Sequence, residues 1–308
     1  MMTTLFLDFN NLAIRTVFSD KDTINNPNPD FNLHRDALLT SIFYNIRNFK
    51  PDEVILAVDD ENCWRKKIYP EYKEHRKSKK DNDIFPWNSY YSYISEYIEE
   101  IKVIFPFVVL KVPYCEADDV VAVLTKHLQN ALKIVVTADS DYIQLLDIPN
   151  LKLYNPLTQK FITDDNPKLT MEIKIVGGDV GDNIRSIEKR KRGEDPILKT
   201  KIGEKTALKL IKTNELVPLL ESNEEINNNY KRNRQLVDWG YIPNVLQTKI
   251  LEMYNSYTIP NSSDLFNFFL KHRLRKQMED ISLTKDLIAP LVRKRYDSEF
   301  KSMFCEKE

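Results

Sequence analysis

Successive strand-like runs of this chain end in acidic side chains, and that placement constrains the fold more than any other feature. Asp8 ends the first run, Thr4 to Phe9, and Asp59 the second, Val54 to Val58. Glu116, Asp118 and Asp119 follow Phe107 to Val112, and Asp139 follows Ile134 to Thr137. A fifth run is Leu151 to Tyr154, and most of these runs are separated by helix-length stretches. Such alternation is the pattern of an α/β domain with a mainly parallel central sheet flanked by helices. In an open parallel sheet the carboxyl ends of the strands share one edge, so these acids are expected to converge on one crevice. Crowded carboxylates repel one another, and the hard, oxygen-seeking cations Mg²⁺ or Mn²⁺ relieve that repulsion.

Taken singly, each acid has a plainer explanation. Glu116, Asp118 and Asp119 suit the first turn of a helix, where the helix dipole favours negative charge. Asp139 and Asp141 suit a helix cap and its neighbour, and Asp8 a turn. The joint pattern is what points to chemistry.

The rest of the chain sets the frame. With 308 residues, 42% of them hydrophobic, it can bury a substantial core in one large or two moderate domains. Leu33, Leu38, Leu39, Ile42, Phe43 and Ile46 share a helix face that should pack on the sheet. After about residue 175 strand signals fade, and helical patterns appear in Lys205 to Ile211, Val245 to Tyr254, Leu265 to Leu274 and Leu287 to Phe300. This predicts an α/β domain over 1–176 and a smaller helical domain over 177–308. Cys63, Cys115 and Cys305 are too few and too scattered for a disulfide frame or a zinc site. No apolar run is long enough for a bilayer, and a cytoplasmic chain is expected.

The acids also carry a resemblance. Leu-Phe-Leu-Asp8, Ala-Val-Asp59, Tyr-Cys-Glu116-Ala-Asp118-Asp119, Thr-Ala-Asp139-Ser-Asp141 and Gly178-Asp179-Val-Gly-Asp182-Asn183-Ile184 stand in the order and approximate spacing of the 5′ nuclease family. That family includes flap endonucleases and the 5′ nuclease domain of bacterial DNA polymerase I. Chain length, helical tail and a long insert after Asn183-Ile184 resemble the branch formed by the RNase H enzymes of T-even-type bacteriophages. The resemblance implies a first metal held by Asp8, Asp59, Glu116, Asp118 and Asp139. It implies a second held by Asp141, Asp179 and Asp182, with Asp119 acting through water or behind the ligands. Two Mg²⁺ ions, replaceable by Mn²⁺, would then activate water and stabilise the leaving oxygen. It further implies 5′ to 3′ exonuclease and flap endonuclease activity with RNase H activity, and RNA primer removal in a phage-infected bacterial host. The implied partners are branched or 5′-tailed DNA, RNA–DNA hybrid, and a single-stranded-DNA-binding protein or sliding clamp, the chain itself acting as a monomer.

Two basic segments complete the reading. From Arg65 to Lys80 eight Lys or Arg face two Glu, a local charge of +6, with Trp64, Tyr69 and Tyr72 nearby. Such a run is either a solvated face or a surface whose cations hold phosphates and whose rings stack on unpaired bases. Arg65 and Lys66 are candidates for that surface. Within the run, Tyr69-Pro70-Glu71-Tyr72-Lys73 is similar to the family segment that starts the arch or bridge over the active site, here 61–86. By that match Lys73 and Arg76 contact the scissile phosphate and Tyr72 stacks on a base. Lys201-Ile202-Gly203-Glu204-Lys205-Thr206 resembles the turn of the family's helix-three turn-helix element, in which backbone N–H groups meet duplex phosphates. Lys201 stands where a glycine is usual. The whole chain carries a formal −1, but without its nine proposed site acids the remainder carries +8, enough to grip a polyanion.

Other readings are weaker. A haloacid-dehalogenase-type phosphatase needs a second acid where this chain has Asn10. A PIN-type single-strand ribonuclease shares the sheet but leaves Tyr-Pro-Glu-Tyr-Lys unexplained. A binding module with a relict fold would have no need to keep every acid. The tail Arg293 to Glu308 suits a docking segment or a simple terminal helix equally.

Overall fold

Strand β1 (Thr3–Asp8) lies at the middle of a six-stranded sheet, with β2 (Glu53–Val58) and β3 (Val108–Lys111) to one side. On the other side are β4 (Leu132–Val136), β5 (Leu151–Asn155) and β6 (Lys160–Ile162). The order is β3-β2-β1-β4-β5-β6, parallel except for the β5–β6 pair. This computed structural model describes residues 1–19, 21–76, 83–192, 195–260, 264–279 and 281–291. Every residue of β2 is buried, as a strand covered on both faces requires.

The alternation of side chains along the strands divides the interior into two cores. Leu5, Leu7, Val54, Leu56, Val58, Val109, Ile134 and Val136 point to one, while Phe6, Ile55, Ala57, Val108, Leu110 and Val135 point to the other. Against the first pack the helices Phe9–Phe18, Phe31–Phe49 and Trp87–Ile104, joined by Leu265, Phe268 and Phe269 of the helix Leu265–Lys271. Within Phe31–Phe49 the expected stripe is buried except Leu33, which is exposed. Against the second pack Ala117–His127 and Asn244–Asn255, with the end of Glu224–Val237. Each fully buried Leu, Ile or Phe contributes about 1.5–3 kcal/mol, so both faces hold the strand ends in fixed register.

A third, smaller core gathers Val176, Ile187, Ile202, Ala207, Leu210, Leu216 and Ile226. It joins the end of the helix Pro167–Gly177 to Glu204–Lys212, Leu216–Ser222 and Glu224–Val237. The fading of strand signals after residue 175 is corrected at one point: β7 (Lys189–Arg192) and β8 (Asp195–Lys201) form an antiparallel hairpin with a register shift at Lys191/Arg192. Its run of basic residues lacks the apolar alternation by which strands are recognised. The final helix reaches residue 291 within the described residues. Lys77, Lys79, Lys80 and the proposed docking tail fall outside them.

Candidate active site

The chain runs outward from β1 to β2 and β3, then returns to place β4 on the opposite flank of β1. That reversal makes the carboxyl ends of β1 and β4 a topological switch point, where open α/β sheets leave a crevice. Asp8 closes β1 and caps the next helix, its Oδ1 accepting from the Asn11 N–H at 2.9 Å. Asp59 follows β2 and accepts from the Ala117 N–H at 2.8 Å. Asp118 lies in the first turn of Ala117–His127 and receives the Tyr142 hydroxyl at 2.7 Å. Asp139 follows β4, and its Oδ1 accepts from the Asp141 N–H at 3.0 Å. Four strand ends thus supply four carboxylates to one edge.

Their electrostatics show how closely they feel one another. Burial, then the charge of Asp59, pushes the Asp8 carboxyl up to about 8. Burial raises Asp59 as well, and burial with the Asp8 charge raises Asp118 well above the usual carboxylate range. Among the described residues no cation forms an ion pair with Asp8, Asp59, Asp118 or Asp139. A hard divalent cation suits this donor set, because it supplies the missing positive charge to oxygen ligands.

Glu116 has a different setting. Its carboxylate receives Lys73 Nζ at 2.5 Å, Arg65 Nη1 at 2.9 Å, the Tyr72 hydroxyl at 3.0 Å and the Cys63 thiol at 3.1 Å. Burial alone would raise this group, but Lys73 and Arg65 outweigh it and hold the carboxyl at about 2.

A second group of acids lies beside the first. Carboxylate oxygens of Asp141, Asp179 and Asp182 come within 4.8 Å of one another. Asp179 and Asp182 are presented by a tight loop held by the Asp179–Ile184 bridge. Gly178 makes this loop possible: its φ is +74°, and a Cβ there would stand 2.4 Å from the Ile184 carbonyl oxygen. This group carries its own cations. Lys174 Nζ sits between Asp141 and Asp179, 2.6 Å from the Asp179 Oδ2 and in contact with Asp141. Arg76 Nη2 meets Asp182 at 2.6 Å, and Lys73 Nζ lies 3.7 Å from it. Burial and the Asp139 charge push Asp141 up to about 6 against the pull of Lys174. At Asp179 the Lys174 hydrogen bond and charge outweigh burial and hold the carboxyl below its usual value.

Two expectations for the basic run, a phosphate contact by Arg65 and base stacking by Tyr72, are corrected by burial. Arg65 is 2% exposed, donates to Glu116, Asp119 and the Leu236 carbonyl, and has no path to a phosphate. Asp119 is fully buried between Arg65, the Trp64 indole N–H and the Glu116 N–H, so it orients its neighbours and does not face the crevice. Tyr72 is 3% exposed, with its hydroxyl shared between Glu116 and Asp182, so its ring is not a stacking surface. Trp64 and Tyr69 are buried too. The apolar contacts of Cys63, Trp64, Tyr69 and Tyr72 with the second core tie the bridge segment down. Asn183 Nδ2 and Arg185 Nη2 fasten Glu71 to the acidic loop, at 2.7 and 2.5 Å. Lys73 and Arg76 end at the border of the two acidic groups, and Lys66 is exposed.

At the expected duplex turn, Gly203 caps Glu204–Lys212 without a side-chain partner, and Gly203 and Lys205 are exposed while Thr206 is half-buried. A cavity of about 480 Å³ lined by Asp141, Lys174, Gly178, Ile202, Gly203 and Glu204 links this turn to the second acidic group. A larger cleft of about 930 Å³, bordered by Lys126, Lys133 and Trp239, takes none of the site acids. Lys174 had no place among the expected site residues. Its only sequence signal is a basic residue in the last turn of the helix that precedes Gly178-Asp179.

Residues 3–173 match the family described as 5′-3′ exonuclease, N-terminal resolvase-like domain. The chain belongs to this family. It is a 5′ nuclease, and residues 165–283 additionally match the C-terminal domain family of T4 RNase H. Ribonuclease H of Enterobacteria phage T4 is 29% identical over 296 residues, covering 90% of this chain and 94% of that protein. DNA polymerase I of Lactococcus lactis is 24% identical over 227 residues, 67% of this chain, which spans only 24% of the polymerase. Two solved structures share the fold of this 5′ nuclease. The T5 5′-exonuclease with bound zinc superposes with a TM-score of 0.60 at 19% identity, over 82% of this chain and 97% of that one. A bacteriophage T5 flap endonuclease in a pseudo-enzyme–product complex with DNA and metal ions gives 0.60 at 20% identity, over 82% and 100%.

Proposed function

We propose that this 5′ nuclease hydrolyses phosphodiesters near 5′ ends with two divalent cations, Mg²⁺ in the cell and Mn²⁺ as a substitute. Asp8, Asp59, Asp118 and Asp139, with Glu116 at their border, would hold one ion; Asp141, Asp179 and Asp182 would hold the other. The observation that carries this reading is the convergence of these carboxylates, from four strand ends and one loop, on the switch point of the sheet. When bound, the ions supply a nucleophilic water and neutralise charge on the phosphate and leaving oxygen. Lys73 and Arg76, at the seam between the groups, would steady the scissile phosphate; Lys66 would hold the unpaired strand.

Residues 1–176 would form the cutting unit and 177–308 the duplex-binding unit, with the phosphate backbone held by Lys201, Gly203, Lys205 and Thr206. The substrates we propose are 5′ flaps, 5′-tailed duplexes and RNA–DNA hybrids, with RNA primer removal in the cytoplasm of an infected bacterium as the role. The chain would act as a monomer, in concert with a single-stranded-DNA-binding protein or sliding clamp. No helix among the described residues is long and apolar enough to cross a membrane. The test is cleavage of a 5′-labelled flap and of a 5′-labelled RNA–DNA hybrid, with Mg²⁺ or with a chelator. Short 5′ products that vanish with chelator are expected. Intact substrates at saturating Mg²⁺ would sink the proposal.

A further inference from the structure

Lys174 is placed as a cation would be. Its ammonium lies between Asp141 and Asp179, 2.6 Å from the latter and in direct contact with the former, and the side chain is less than one quarter exposed. The helix Pro167–Gly177 that carries it ends on Gly178, so the lysine and Asp179 are fixed by a short stretch of chain, while Asp141 is brought to them from the segment after β4. The remaining acid of the group, Asp182, already has Arg76 at 2.6 Å. Three carboxylates therefore meet two close fixed cations, with Lys73 at 3.7 Å from Asp182 as a third at longer range. Asp8, Asp59, Asp118 and Asp139 have no such partner among the described residues, and are held by an N–H or hydroxyl alone.

Resting on the two-ion reading proposed above, we infer that Lys174 is a tethered cation that competes with the divalent ion of the Asp141–Asp179–Asp182 group and sets how strongly that ion binds. A divalent ion entering this group must displace the ammonium from the oxygens it would use, or share them with a positive charge at contact distance. Either way part of the Coulomb attraction is cancelled, and at such separations one unit charge changes an equilibrium by an order of magnitude or more. In the other group fixed cations meet only Glu116, its border residue, and none pairs with Asp8, Asp59, Asp118 or Asp139 among the described residues, so that group loads first and the two ions load in sequence. Lys174 is thus a positioning residue for metal loading, and it makes the complete two-ion site conditional. An incoming phosphate, itself a partner for an ammonium, can draw Lys174 off its acids and open the group to the second ion.

The test uses the full chain without nucleic acid at pH 8, titrated with Mn²⁺ while free ion is followed by electron paramagnetic resonance. The wild-type chain is expected to bind one ion tightly and a second more weakly. Lys174→Met should tighten the second ion about ten- to hundredfold and leave the first unchanged. Lys174→Arg keeps the charge and should leave the second ion weak, which separates charge from packing. Circular dichroism of both variants confirms the fold, and the arginine variant still decides the matter if the methionine variant is unstable, since a second ion bound about tenfold or more tighter by Lys174→Arg than by wild type would overturn the inference. A second ion equally weak in Lys174→Met and wild type would also overturn it, while leaving the two-ion reading intact. Failure of both wild type and Lys174→Met to bind any second ion would overturn both.

Discussion

The two acidic groups differ in how their negative charge is balanced, and their geometry follows that difference. Asp141, Asp179 and Asp182 carry Lys174 and Arg76, and their oxygens approach within 4.8 Å of one another. Asp8, Asp59, Asp118 and Asp139 have only N–H and hydroxyl partners, and form no cluster that tight among the described residues. Burial, reinforced by the charge of neighbouring carboxylates, raises the proton affinity of Asp8, Asp59 and Asp118 instead. Strand ends are rigid and cannot relax away from one another, whereas a loop and a helix end can bring their own cations. On the proposed two-ion reading, the rigid group depends on a metal for its charge balance, whereas the loop group has fixed cations of its own.

The largest effect should come from breaking the rigid group. Asp118→Asn is expected to lower single-turnover cleavage by about four orders of magnitude or more while flap binding survives, since the lost charge acts mainly in the transition state. Asp179→Asn, in the group that has its own lysine, should cost about ten- to hundredfold. Equal losses in the two variants would erase the distinction between the groups. Near wild-type cleavage by Asp118→Asn at saturating Mg²⁺ would remove that residue from the site.

Lys73 borders both groups and tests whether they act on one phosphate. Lys73→Ala should lower the single-turnover rate about ten- to a thousandfold, with less change in substrate affinity. A change confined to binding would return Lys73 to a role in holding Glu116 and Asp182. The acids at strand ends were legible in the sequence because strand alternation and acid position are both local. Burial of Arg65, Tyr72 and Trp64 was not, because a run dense in Lys and Arg looks solvated until Glu116 and Asp119, some fifty positions on, arrive to pair with its one inward arginine. Lys174 was hidden similarly, since a lysine in a helix's last turn is accounted for by the helix dipole, and only the folded chain brings Asp141 from beyond β4 and Asp179 from the loop after Gly178 onto it. The β7–β8 hairpin had no apolar alternation to announce it.

A smaller, stability-level effect follows from Asp8. Its carboxyl is raised from 3.8 to about 8 in the metal-free protein, so between those values the folded chain holds a proton that the unfolded chain has lost. Stability should therefore fall as pH rises from about 4 to 8 in chelator, and Mg²⁺ should restore it by replacing the proton with a metal charge. Asp8→Asn keeps an oxygen acceptor for the Asn11 N–H and removes the titrating charge, so it should flatten the metal-free melting curve against pH and blunt the Mg²⁺ response. A metal-free melting temperature that instead climbs steadily from pH 4 to 8 would contradict the strain assigned to the rigid group.

The smallest effect separates cutting from duplex grip. The turn at Gly203 communicates with the loop group through the cavity that both line, and not with the strand-end acids. Its exposed Lys205 and the open N-terminus of Glu204–Lys212 suit a duplex backbone that approaches from the loop side. Replacing Lys201 and Lys205 together with alanine should weaken binding to duplex-containing substrates and reduce the slope of log affinity against log salt by roughly one to two units, as each lost phosphate contact releases fewer counterions. Cleavage of a short single strand should change little, because the strand-end acids are untouched. An equal loss on single-stranded and duplex substrates would mean that the turn does not hold duplex, and the assignment of the loop side to the duplex would fail even with the rigid group intact.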